Sequence, residues 1–128
     1  MIKDEEFKRG IELRQAMFGP GQEAAVDSAP PLTEKLQEIV TRWCFGDIWQ
    51  REGLSRRDRS LITVAMMVAL GRATETRHHM GGALANGVSD VELREVCLHA
   101  LLYAGIPATA EALNVLEGVL ASEGGPAR

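Results

Sequence analysis

The sequence predicts an all-α protein, a bundle of six helices joined by short connections, and three observations carry that reading. Apolar residues recur at helical intervals through most of the chain, glycines and prolines fall between those segments, and nothing shows the alternation of a strand. With 128 residues the chain suits one hydrophobic core, so a single domain over 1–128 is expected.

Phe7, Ile11 and Phe18, with Leu13 and Met17 beside them, make a first amphipathic helix that Gly19-Pro20-Gly21 ends. Residues 22–31 have weak periodicity and close on Ala29-Pro30-Pro31, which predicts a connecting loop. Leu32, Leu36, Ile39, Val40 and Trp43 then fall at i, i+4, i+7, i+8 and i+11, the apolar stripe of a second helix packed on one side. Ser55-Arg56-Arg57-Asp58 resembles a capping box with Asp in place of Glu and predicts the start of a third helix. Its body, Leu61 to Leu70, is apolar nearly all round, as a central buried helix is, and Gly71 is placed to end it.

Thr74 can cap a fourth helix running to Asn86, with Gly87 as a left-handed terminator. Ser89-Asp90-Val91-Glu92 is a full capping box and opens a fifth helix through Tyr103 to Gly105. Pro107 suits the first turn of a sixth, in which Leu113, Leu116, Val119 and Leu120 share a side. Residues 122–128 read as a frayed tail. So much helix in so short a chain leaves apolar surface over, and a homo-oligomer would bury it.

Composition narrows the function. The apolar fraction of 45% with 25% charged residues is that of a soluble globular chain. Fourteen basic against 18 acidic side chains give a net charge of −4, and no basic run exceeds Arg56-Arg57, which disfavours nucleic acid and anionic membranes as partners. A small anionic substrate stays possible, because arginines inside a cleft outweigh the net figure. Cys44 and Cys97, without CxxC spacing, read as buried thiols of a reduced, cytoplasmic chain. The opening Met1-Ile2-Lys3-Asp4-Glu5-Glu6 lacks the apolar core of a signal peptide, and no apolar stretch is long enough to span a membrane.

The candidate chemistry sits on the fourth helix. Arg72, Glu75, His79 and Asn86 are three, four and seven residues apart. At about 100° per residue they share a face roughly 60° wide, from which His78 points away. A carboxylate one turn before a histidine can orient the imidazole and raise its pKa, leaving the second nitrogen to move protons near neutral pH. The same spacing also suits an ordinary i, i+4 pair on a solvated face. Gly81-Gly82 in mid-helix points to a close approach by a neighbouring helix or a ligand. His99 shares a face with Glu92, Glu95 and Tyr103, the setting of a surface or subunit-contact histidine, and Trp49 in an irregular stretch is either a pocket wall or a loop anchor. Metal-protease, nucleotide-loop and serine-elbow motifs are absent, so neither metal nor nucleotide is expected.

Several runs together resemble the carboxymuconolactone decarboxylase family: Gly46-Asp47-Ile48-Trp49, the stretch Gly53 to Thr63, Glu75 to His79, Ala83 to Val88, Glu92 to Val96, then His99, Tyr103 and Gly105 to Ala108. The resemblance runs in order and spacing over roughly residues 7 to 120. It implies the orthogonal helical bundle of the wider alkylhydroperoxidase D-like group, assembled as a trimer or hexamer with sites near subunit contacts. That group's peroxidases carry a CxxC followed by histidine four residues on. Here the corresponding positions are Arg72, Glu75 and His79, so the thiol chemistry lacks its sulfurs and the decarboxylase branch fits better. Two departures bear on the substrate. The family decarboxylase resembles His-Leu-Arg-Ala-Ala where this chain has His79-Met80-Gly81-Gly82-Ala83, and a cysteine is usual where Ala104 stands.

What the resemblance implies is decarboxylation of 4-carboxymuconolactone to the enol-lactone of 3-oxoadipate, in the protocatechuate branch of aromatic catabolism. No cofactor is expected, because the lactone is its own electron sink. His79 would deliver the proton, oriented by Glu75, while Arg72 or Arg77 would bind a carboxylate and Trp49 would wall the pocket. Alternatives are a decarboxylase or isomerase of another lactone or cyclic keto acid, and a non-catalytic helical oligomerisation module.

Overall fold

A computed structural model of the chain describes the backbone of residues 1–124 and the side chains of residues 1–122. Every regular element among the described residues is helical. Seven α-helices are present among them where six were expected, together with one π and one 3-10 turn. Contacts group the chain into two compact units, Met1–Arg56 and Arg57–Arg128, each with its own core.

In the first unit, α1 (Glu5–Phe18) begins where the Asp4 carboxylate accepts the Phe7 N–H at 3.0 Å, with Glu5 and Glu6 in the turn that favours negative charge. Its apolar positions divide between two clusters. Phe7 and Ile11 pack with Val26, and Leu13 and Met17 with Phe45 and Trp49. Val26 belongs to α2 (Gln22–Asp27), a two-turn helix inside the segment expected to be a loop over 22–31. So short a helix is marginal alone. Its fixed points are tertiary: Val26 is fully buried, and Lys3 reaches Glu23 at 2.7 Å and Asp27 at 3.0 Å.

The second predicted helix is two elements, α3 (Pro31–Ile39) and a π turn, Val40–Phe45. Trp43, within that turn, is 61% exposed rather than packed. The rest of the stripe does not pack on one side either: Leu32 is 95% exposed, and no α3 residue is buried. Thr41 and Phe45 face inward instead. Glycine permits the close approach of α1 to the π turn. A Cβ at Gly10 would lie 1.8 Å from the Thr41 carbonyl oxygen, and one at Gly46 would lie 2.1 Å from that of Glu6. A 3-10 turn, Ile48–Gln50, buries Trp49 against Phe45 with ring centroids 5.6 Å apart.

The second unit is built from α4 (Arg56–Ala69), α5 (Ala73–Ala85), α6 (Asp90–Ala104) and α7 (Ile106–Gly124). Helix α4 starts after Ser55 and gives way to Gly71 in the left-handed region (φ 70°), as the sequence suggests. It is not a buried helix, however. Ser60, Val64 and Val68 are buried, whereas Met66 and Leu70 are more than half exposed. The most deeply inserted helix is α7, through Ala112, Val115, Leu116, Val119 and Leu120, packed with Val64, Met80, Leu93 and Cys97. Leucines so buried contribute about 1.5–3 kcal/mol each, which makes this face the unit's main source of stability. Helix α6 opens with both arms of the Ser89–Glu92 capping box, at 3.1 and 2.9 Å. Inside the core the Thr109 hydroxyl donates to the Cys97 carbonyl at 3.0 Å, which ties α7 to α6. Of the tail expected to fray over 122–128, residues 122–124 continue α7, with the Ser122 hydroxyl bonded back to Val119 and Gly118, and the remainder lies outside the described residues.

Candidate active site

Helix α5 positions the proposed pair. It starts at Ala73 rather than after Thr74: Arg72 is the N-cap residue, with φ −98° and ψ 80°, and its carbonyl accepts the Thr76 N–H at 2.8 Å. The helix buries Thr76, Met80, Gly82 and Ala83. His79 lies next to that buried face, and Glu75, one turn earlier, lies just outside it. The imidazole is accordingly half-buried and the carboxylate exposed. At the far end the Asn86 amide donates to the buried Ser60 hydroxyl at 3.0 Å, so the last member of the polar stripe anchors α5 to α4.

Glu75 does act to raise the His79 pKa, as its spacing suggests, but the net displacement is downward. Burial of the imidazole, and then the neighbouring His78, push it down to about 4, and the opposing attraction of Glu75 is the smallest of the three influences. The His78 and His79 rings meet edge to face at 5.5 Å. Desolvation penalises the charged form, and coulombic repulsion from His78 penalises it again. His79 is therefore neutral at pH 7, with one N–H to give and one lone pair to receive a proton.

The other predicted site residues are only partly gathered. Arg72 sits one turn before Glu75 on the same side and is exposed. Arg77 lies about 160° round the helix from both Glu75 and His79. Its Nη1 is 3.1 Å from where a Cβ of Gly118 would stand, so its guanidinium rests against α7. Trp49 belongs to the first unit and is 7% exposed within the Leu13–Met17–Phe45 cluster, as a residue that anchors its loop would be. Both cysteines are free thiols, and burial raises the pKa of each.

A cleft of the second unit lies elsewhere. About 720 Å³ in volume, it is lined by Ala65, Ala69, Ala100, Glu95, His99 and Tyr103 among others, all from α4 and α6 and none from α5. The His99 and Tyr103 rings stack at its edge, 5.2 Å between centroids, and Tyr103 is 80% exposed. Sequence spacing had placed those two residues with Glu95 on one face, but the hollow beside them depends on two helices and has no signature in either.

Comparison with known proteins places the chain. Residues 34–118 match the carboxymuconolactone decarboxylase family. The chain is 36% identical to 4-carboxymuconolactone decarboxylase of Acinetobacter baylyi over 93% of its own length and 90% of that protein's. It is 39% identical to the nitrosuccinic acid decarboxylase of Metarhizium robertsii, over 87% of its own length and 78% of that protein's. An uncharacterized 15.0 kDa protein of Paracoccus denitrificans is 31% identical over 88% of the chain and 93% of that protein. The chain belongs to the carboxymuconolactone decarboxylase family, and it groups there with carboxy-lyases.

Proposed function

We propose that this protein decarboxylates a small organic acid whose own structure accepts the electrons released, with His79 as proton donor and Glu75 as the group that holds it, and that 4-carboxymuconolactone is the substrate. The observation that carries the reading is the likeness, over nearly the whole of both chains, to 4-carboxymuconolactone decarboxylase. A half-buried histidine one helical turn after a carboxylate supports it.

In the reaction the bond from the ring carbon to the carboxylate breaks and carbon dioxide leaves. Its electron pair passes through the ring double bond into the lactone carbonyl, and a proton is then added to carbon. One proton is consumed per turnover. The neutral His79 of the free protein suits this balance. An anionic substrate beside the ring favours the imidazolium, so binding draws a proton onto His79 that the ring carbon then receives. Water exclusion around the departing carboxylate would favour neutral carbon dioxide over the charged ground state.

A second substrate reading has a specific support. The nitrosuccinic acid decarboxylase is at least as similar in sequence, and a nitro group stabilises an adjacent carbanion as a conjugated lactone does. Gly81 also stands where the lactone enzyme resembles an arginine. Loss of ultraviolet absorbance from 4-carboxymuconolactone, and carbon dioxide release from nitrosuccinate, measured side by side with purified protein, test the proposal. Turnover of the lactone at the higher kcat/KM supports it. Turnover of nitrosuccinate alone would move the assignment to the other acid, and turnover of neither would refute it. We expect a homo-oligomer as well. Leu102, Tyr103 and Ile106 are each more than 70% exposed on adjoining stretches of α6 and α7, apolar surface that a subunit contact there would take out of water.

A further inference from the structure

The cleft between α4 and α6 has a polarity of its own. Ala65 and Ala69 of α4 face Ala100 and Ala104 of α6, and these small side chains leave about 720 Å³ open between the helices. That is a volume suited to a small molecule, and the lining is mostly apolar. Three polar side chains interrupt it. Glu95, His99 and Tyr103 stand at i, i+4 and i+8 on α6, a row about 12 Å long on one wall. No lysine or arginine is among the described residues that line the cleft. Glu95 makes no ion pair with any described residue, whereas the other two acids of α6, Asp90 and Glu92, are held by Arg94 and Arg57.

We propose that this cleft binds an organic cation with an apolar body, a primary amine carried on an aryl or alkyl chain. Each polar group of the row suits an ammonium. Glu95 supplies the opposite charge, and the neutral imidazole of His99 can accept an N–H. The ring of Tyr103, which is 80% exposed, offers a π surface of the kind that attracts ammonium groups. The His99 and Tyr103 rings, 5.2 Å between centroids, present these two functions side by side. The alanine walls take the apolar body out of water. An anion meets the reverse arrangement, since Glu95 repels it and no lining cation holds it. The site is therefore distinct from that of the proposed carboxylated substrate. It has no residue of α5 in its lining and does not depend on the role of His79.

Three probes of similar shape and different charge test the assignment: 2-phenylethylamine, which is an ammonium at pH 7.5, the neutral 2-phenylethanol, and the anion 3-phenylpropanoate. Ligand-observed NMR titrations at matched ionic strength give the affinities. The proposal expects saturable binding of the amine, weaker binding of the alcohol and none of the acid. Glu95→Gln should weaken the amine roughly three- to tenfold, the scale of losing a charged partner at a partly solvated site, and leave the alcohol unchanged. Ala69→Leu, at an exposed position on the α4 wall, should fill the cleft and abolish binding of both. An acid that binds as well as the amine, or an amine affinity that either substitution leaves intact, overturns the proposal. Should Ala69→Leu misfold, as circular dichroism would show, Ala65→Leu fills the same wall from an exposed position one turn earlier, and undiminished affinity there overturns it too.

Two controls separate the cleft from the neighbouring possibilities. His79→Gln should leave amine binding unchanged, and loss of binding in that variant would place the cation with His79 and overturn the assignment. Light scattering on the same samples reads the assembly state. Amine binding that persists where copies associate supports the proposal. Binding confined to dissociated subunits would make the cleft a seat for a second copy of the chain and refute it.

Discussion

Depression of the His79 pKa from 6.5 to about 4 makes folding stability depend on pH in a way that can be isolated. The unfolded chain binds the proton more readily than the native one between those two values, so stability falls as pH drops through the unfolded value and the loss is complete near the native one. At 1.36 kcal/mol for each tenfold change, the full displacement corresponds to about 3 kcal/mol, and the part between pH 7 and pH 4.5 to about 2 kcal/mol. Asp4, Glu38 and Glu92, whose pKa values the fold lowers, act in a different window. Each loses its stabilising contribution only as pH falls below the ordinary carboxylate range. Urea unfolding followed by far-ultraviolet circular dichroism, at fixed protein concentration from pH 7 to pH 4.5, reads the histidine contribution directly. The parent should lose about 2 kcal/mol across that range, and His79→Gln, which cannot take up the proton, should lose much less. Parallel curves for the two proteins would refute both the burial of the imidazole and the protonation argument built on it.

Two other perturbations follow from the geometry. Glu75→Gln removes the one influence that favours protonated His79, so the descending limb of kcat/KM with pH should move to lower pH, and an unchanged profile would make the pair decorative. Gly10→Ala drives a methyl group into the Thr41 carbonyl oxygen and should destabilise by about 3 kcal/mol or prevent folding. Gly118→Ala meets only the mobile end of Arg77, and should be neutral or gain up to about 1 kcal/mol of helix propensity. Chemical denaturation of the two variants checks both signs.

The sequence disclosed the elements whose signals are local. The Ser89–Glu92 capping box, the helix-ending glycines at 71, 87 and 105 and the α7 stripe all depend on neighbours within a turn or two, and each is found where it was read. What escaped depends on distant contacts. Helix α2 rests on Val26 meeting Phe7 and on Lys3 meeting Glu23 and Asp27, pairings across about twenty residues that periodicity cannot register. The π turn, Val40–Phe45, interrupts a run that looks continuous on a 3.6-residue wheel. An apolar stripe reports amphipathicity, not what covers it, which is why α3 and α4 carry exposed leucines and methionines where burial was expected.

The candidate site divides in the same way. That Glu75 and His79 share a helix face is a matter of spacing alone, and the face was legible. The sign of the His79 pKa was not. It is set by burial against the second unit's core and by His78, whose angular separation on the helix wheel obscured that the two rings touch. Arg77 was assigned to the substrate for its charge, yet its position on the helix carries it to Gly118 on α7.

The most direct measurement is the turnover of 4-carboxymuconolactone by His79→Gln beside the parent protein, at pH 7 and with matched circular dichroism spectra. Loss of a general acid predicts a fall in kcat of roughly 10²- to 10⁴-fold with the fold intact. A variant that is folded and as fast as the parent would contradict the assignment of His79 as the proton donor.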